Sequence, residues 1–362
     1  VAADANGLPS HRDLSLLSLF GLPAVAHLAF IFCCAVWGTS FILLERVTRV
    51  MGPVEIGVWR MFMGAAVVGV CWWLSRGEYR LRRRDLLKVV GSAILFTAPP
   101  QVIQSYVLAQ GFGHSFFGTM VAAIPLLTIL VSIPMLKLLP TRRELFGVLG
   151  GLVCIFMLLE DGVHRGMTLP LLGLTLLIPL SSALSNTYMK WQLPDVPAAV
   201  YTTIALFVSG LVLVPVQMSP GVVGSLAVAA RVGAKITPET IAYLALLGVI
   251  GSGVSTLTFN WMVLERGPLF AGMTTYVVPI LALAWGRVDH ESISGMQMIA
   301  MVGALAMVAL VQTGAPRPEP SLVVATPSGG VIPLADMNVC PTRLPATAGA
   351  DFLAEPPQTR VA

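Results

Sequence analysis

Charge is what this sequence has least of. Only 11% of its 362 residues are Asp, Glu, Lys or Arg, against about 25% in a soluble protein. A soluble fold of this size could not cover its apolar surface with so few. Hydrophobic residues make up 56% of the chain and mean hydropathy is +0.83, so the chain reads as an integral, multi-pass membrane protein. The net charge of +4 is too small to draw nucleic acid, which is not expected as a partner. Cysteine is scarce too: Cys33, Cys34, Cys71 and Cys154 sit in apolar runs and Cys340 in the C-terminal tail. There is no CxxC and no His/Cys cluster at metal spacing, so neither a disulfide framework nor a structural metal is expected. HExxH, GxSxG and paired aspartates within apolar runs are all missing, so the chain is not read as an enzyme and no cofactor is implied. No acidic residue is centred in an apolar run, which argues against a carboxylate proton relay. His27 and His114 fall near run ends and read as interfacial.

Apolar stretches fill most of what is there. They lie at 22–45, 53–75, 86–110, 114–138, 143–160, 167–189, 197–218, 238–263, 268–287 and 292–313. A spanning helix needs about 20 mostly apolar residues, so ten transmembrane helices in an all-α fold are expected. The first stretch is too long for a signal-peptide core and is taken as the first span. Residues 1–21 form a polar N-terminal segment. Residues 314–362 hold nine prolines and few bulky apolar groups, the composition of a disordered tail. With the N-terminus in the cytoplasm, inside loops and tails carry thirteen Lys or Arg and outside loops six, mainly because of RGEYRLRRRD after the second span. The bias places both termini in the cytoplasm, at the cell (inner) membrane.

The chain also repeats itself. FFGTMVAAIPLLTIL (116–130) matches FAGMTTYVVPILALA (270–284) in Phe, Gly and Pro spacing. The copies lie five helices apart, and an odd number of spans inverts the second copy. Units of 22–160 and 167–313 would then form a five-plus-five inverted repeat, an arrangement typical of secondary transporters with a site between the halves.

Four segments resemble a known family. AVWGTSF (35–41), PVEIGVWRMFMGA (53–65), VLAQGFGHSFFGTMVAAIP (107–125) and TLTFNWMVLERGPLFAGMTTYVVPILALAWGRVDHESIS (256–294) are similar, in order and spacing, to the EamA branch of the drug/metabolite transporter superfamily. The chain departs from that pattern at His290-Glu291, where the family often has Gly-Glu, and near Lys137-Leu138, where no matching Glu occurs. The resemblance implies two inverted five-helix halves and export or exchange of small metabolites, such as amino acids or related polar compounds. Small solutes and membrane lipid are the implied partners, and a homodimer remains open. The alternatives are a non-transporting membrane sensor or assembly factor, in which the tail would be the working part, and, further off, a membrane-embedded enzyme.

The substrate pathway is expected at the polar residues of the spans. Arg60 is the one full charge deep in an apolar run, where insertion costs about 2.5–3.5 kcal/mol. It either braces neighbouring helices or attracts a substrate carboxylate. Gln101 and Gln104 share a helix face, and Asn186 and Asn260 are the other large amides that need partners or water in a bilayer. Ser252, Ser255 and Thr256 share the eighth stretch with Asn260, and Ser181, Ser182 and Ser185 the sixth with Asn186. Tyr276 leads to Pro279, and Trp37 enters through the family motif. Pro99, Pro100, Pro125 and Pro279 are expected to bend helices and free backbone groups. Trp72 and Trp73 read as interfacial belt residues.

Overall fold

The computed structural model describes residues 22–75, 79, 81–136, 141–219, 236–272, 274–312, 323–325 and 331–333. The chain forms two units, Val1–Thr313 and Gly314–Ala362. The first is helical throughout its described residues: α1 (Leu22–Thr48), α2 (Pro53–Leu74), α3 (Arg83–Ser92), α4 (Ala98–Ala109), α5 (His114–Met120), α6 (Ala123–Leu136), α7 (Arg142–His164), α8 (Leu169–Gln192), α9 (Ala198–Gln217), α10 (Pro238–Ala245), α11 (Ser255–Gly272), α12 (Thr274–Val288) and α13 (Gly295–Gln312). Two π-helical segments, Ala93–Thr97 and Leu246–Val254, join α3 to α4 and α10 to α11. Among the described residues eight helices are long and apolar enough to cross a membrane. The apolar parts of α12 and α13 are shorter, Val277–Val288 and Gly295–Leu310.

Local chemistry explains several boundaries. Pro53 opens α2, where its missing N–H costs no helical bond. Thr237 caps α10 by accepting from the Thr240 N–H at 3.2 Å. Before Pro99 and Pro100 the hydrogen-bond register widens, and the Ala98 N–H reaches back to the Ala93 carbonyl. Prolines donate nothing and crowd the carbonyl four residues back, so the wider turn keeps the span continuous.

The main packing pairs are α2 with α9, α7 with α13, α2 with the second π segment, α1 with α12, α6 with α8, and α5 with α12. Without a hydrophobic drive between helices in lipid, close approach of small residues supplies the contact. A Cβ on Gly64 would lie 3.1 Å from the Gly253 nitrogen, and a Cβ on Gly118 only 2.0 Å from the Ala282 Cβ. Exposed Leu, Ile, Val and Phe side chains, such as Phe146, Phe156 and Leu211, remain for lipid. Trp73 is exposed, as a belt residue should be, whereas Trp72 is partly buried against the core.

Three features differ from the sequence reading. The helix after the second π segment runs through Gly267-Pro268 to Gly272, so the eighth and ninth stretches part near residue 273 and not at 264–267. Proline bends a helix more readily than it ends one when the flanking turns remain bonded. The fourth stretch, expected as one helix, is parted into α5 and α6 by a turn at Val121–Ala122, where the ring of Pro125 crowds the carbonyl four residues back. The second unit holds a strand pair, Val323–Ala325 antiparallel to Val331–Pro333. The other tail residues, like residues 1–21, lie outside the described residues.

Candidate functional site

A cavity of about 280 Å³ opens among α1, α2, α4, α5, α6, α8, α9, α11, α12 and both π segments. Of the residues singled out in the sequence, Trp37, Arg60, Gln101, Gln104, Asn186, Asn260 and Pro100 line it. The four large amides, far apart in sequence, meet there because the helices carrying them pack round one space. Ser255 stands behind the wall: its Oγ accepts from Trp37 Nε1 at 2.9 Å and donates to the Gly251 carbonyl. The backbone of Tyr276 lies in α12, and its side chain lies outside the described residues. Pro99, Pro125 and Pro279 do not line the cavity. Pro279 sits inside α12.

Arg60 is the one charged residue among the described lining. It is buried, and its Nε donates to Ser252 Oγ at 3.1 Å. Its Nη1 has no hydrogen-bond partner among the described residues, and neither has Gln101 Oε1. The Arg60 Cα lies 3.4 Å from where a Cβ on Gly248 would sit, so this glycine lets the π segment approach α2. Asn260 Nδ2 donates to Thr202 Oγ1 at 2.8 Å, which also ties α11 to α9. Aromatic rings complete the wall: Trp37 stacks at a tilt on Phe259, 4.9 Å between centroids, with Phe96, Phe117 and Tyr201 nearby.

Several of these were missed by sequence reasoning. Tyr201 bridges Ser92 at 3.0 Å and Ser185 at 3.3 Å through its hydroxyl, but one Tyr in an apolar run carries no mark of this. A larger omission is the cluster at the C-terminal end of α1. His114 is not interfacial: it is fully buried, with Nδ1 at 2.7 Å from Glu45 Oε2 and 2.8 Å from Glu291 Oε1. Glu291 also accepts the backbone N–H groups of His114 at 2.7 Å and Ser115 at 3.1 Å, capping α5 from the loop after α12. Burial opposes ionisation of Glu291, yet hydrogen bonds from His114 and Ser115 hold its carboxyl at about 2. The ligand atoms of Glu45, His114 and Glu291 lie within 4.8 Å of one another, close enough to hold a metal ion. Their hydrogen-bond distances match an imidazole shared between two carboxylates. Beside them Asp161 accepts from Arg165 at 2.7 Å, and Arg165 donates to Gln297 at 2.7 Å. Gln297 reaches Thr119 on α5 at 3.1 Å. The available signal was that all these groups sit in or beside loops assigned to one side.

Residues 24–160 match the EamA-like transporter family. The match runs from α1 through most of α7 and takes in Trp37, Arg60, Gln101 and Gln104. The EamA-like match and the eight long apolar helices agree with a multi-pass transmembrane transporter of small solutes. A solved structure titled "Crystal structure of protein" is 17% identical, covers 79% of this chain and 96% of its own, and superposes with a TM-score of 0.55. At that identity the likeness concerns the fold alone. No curated protein matches the sequence.

Proposed function

We propose that the protein is a secondary transporter, an exporter or exchanger of small polar organic metabolites, working by alternating access through the cavity that holds Arg60. Ten helices in two inverted halves form it, with both termini in the cytoplasm of a cell whose inner membrane it spans. The observation that carries the reading is the meeting of Arg60 and four large amides, drawn from both halves, in one cavity within otherwise apolar helices. Packing favours the inverted repeat. Numbering spans one to ten, α1 with α12 pairs one with nine, and α6 with α8 pairs four with six, its counterpart after a shift of five. The two π segments fall in spans three and eight, also five apart. Such repeats put substrate sites between their halves.

In this reading Trp37, Arg60, Gln101, Gln104, Asn186 and Asn260 line the pathway, Ser255 and Tyr276 flank it, and Pro99, Pro100, Pro125 and Pro279 shape the helices around it. Under the charge-derived orientation, the cluster of Glu45, His114 and Glu291 closes the outer end. The test places single cysteines at Gln101, Gln104, Asn186 and Asn260 in a background without native cysteines. A membrane-impermeant thiol reagent should label them, and solute found by metabolite profiling should protect them. Cysteine at the buried Val68 should stay unlabelled. Inert cysteines at all four positions from both sides, with flux intact, would refute the pathway.

A further inference from the structure

We propose that the cavity selects a small organic monoanion that carries an uncharged hydrogen-bond donor and an apolar body, in preference to a zwitterion or a cation. The proposal rests on the transporter reading and narrows its solute class.

Charge comes first. Among the described lining residues Arg60 is the one ion, with no carboxylate beside it. A guanidinium has five N–H donors. One is spent on Ser252, and the buried Nη1 has no partner. A buried charge without a counter-ion is among the least stable arrangements in a protein, more so at membrane depth. A carboxylate entering the cavity supplies both the counter-charge and the acceptor, and the planar fork of Arg suits it geometrically. A zwitterion supplies the carboxylate too, but brings an ammonium for which the described walls offer only neutral acceptors. It leaves the cavity with a net positive charge and one more ion to desolvate. A cation meets repulsion alone.

A second orphan specifies the rest. Gln101 Oε1 is buried and unpartnered, an acceptor waiting for a donor. Gln101 packs on α2 one turn before Arg60, with its Cβ 3.9 Å from where a Cβ on Gly57 would be. A solute that places an anionic group at Arg60 has room for a neutral donor, such as a hydroxyl or an amide N–H, at Gln101. The remaining wall is apolar and aromatic, with Trp37 and Phe259 in ring contact. The volume of about 280 Å³ is that of a small-molecule site. It suits a branched short-chain acid.

The test uses the full chain purified in detergent and five probes of related shape: 2-hydroxy-4-methylpentanoate, 4-methylpentanoate, leucine, 3-methylbutylamine and 3-methylbutanol. Ligand that binds the folded state alone raises the unfolding temperature with concentration, so each dissociation constant can be read from the shift. The hydroxy acid should bind at least tenfold more tightly than leucine, and the amine and alcohol should give no shift. Arg60→Gln should abolish the preference for acids. Gln101→Leu should remove the added affinity of the hydroxy acid over 4-methylpentanoate, which keeps the test open if Arg60→Gln does not fold. Leucine or the amine binding as tightly as the hydroxy acid, or no probe binding at all, overturns the proposal. Flux of the same probes into liposomes separates the two readings. Hydroxy acid that binds and is never carried refutes transport and leaves the selectivity standing. Carriage of leucine or the amine in preference supports transport and refutes the selectivity.

Discussion

Glu291→Gln isolates the most charged junction in the bundle. Glu291 reaches from the loop after α12 to the first turn of α5, where it accepts two backbone N–H groups and shares His114 Nδ1 with Glu45. The carboxyl stands at about 2 against an ordinary value of 4.5. Each pH unit corresponds to about 1.4 kcal/mol, so the ionised form is stabilised in the folded state by about 3 kcal/mol. Glutamine keeps one carbonyl acceptor and loses the charge. The expected cost at pH 7 is therefore about 2–3 kcal/mol, read from unfolding of the purified protein in mixed detergent.

The sign of the pH effect follows from the lowered value. The stabilisation is complete above about pH 4.5 and is lost as pH falls through that value toward 2. Wild type and Glu291→Gln should therefore differ most at neutral pH and converge near the acid end of that window. A gap at pH 7 below about 0.5 kcal/mol, the scale of an ordinary surface substitution, would refute the reasoning. So would a gap that persists unchanged into acid. A cycle with Glu45→Gln adds a check, because residues in one ion-pair network couple by about 0.5–3 kcal/mol and independent ones do not.

Three further outcomes are expected. Gly118→Ala puts a methyl 2.0 Å from the Ala282 Cβ, so α5 and α12 must separate; the expected loss is about 1–3 kcal/mol, and an unchanged melting temperature would show that the contact is not tight. Trp37→Phe keeps a ring against Phe259 but loses the Nε1 bond to Ser255, at about 1 kcal/mol; a double substitution with Ser255→Ala that simply adds the two single losses would count against that bond. Removal of residues 314–362 should leave flux at the wild-type rate, and a transport-dead truncation would favour the sensor or assembly reading.

The helices were legible because lipid imposes a length and a composition together. Nearly every apolar stretch returned as a helix, and the Arg60 and amide positions converged because a buried amide without partners is too costly to occur by accident. Other features had no such marker. A π turn differs from an α turn in hydrogen-bond register and not in residue type, so AILFT and LLGVIGSGV gave no warning, although Pro99-Pro100 pointed to the neighbourhood of the first. The Gly267-Pro268 pair misled for the converse reason: it is strong punctuation in a loop and weaker in a helix. His114 was misread because position along a span says nothing about what faces it across the bundle. Its partners come from α1 and from the loop before α13, 69 and 177 residues away, and only packing brings them together.

The two polar regions are built on opposite principles. At the end of α1 the ions are paired: Glu45 and Glu291 share His114, Asp161 holds Arg165, and Gln297 links that pair to α5. These contacts hold the contributing helices in one arrangement, although His114 Nε2 is buried without a partner. In the cavity the one ion, Arg60, has no carboxylate among the described lining residues, and Arg60 and Gln101 keep unpartnered atoms. α5 connects the two regions. Its first residue lies in the ion network, while Phe117 and Met120 line the cavity, and the chain turns at Val121–Ala122 before α6 begins. A helix held by charge at one end and facing an unsatisfied cavity at the other has different things to lose at each end. A solute that satisfies Arg60 changes the balance at the cavity without touching the ion pairs. In the transporter reading, the outer end therefore opens only if the bound state offsets the loss of the His114 contacts, so solute binding and opening are coupled through α5.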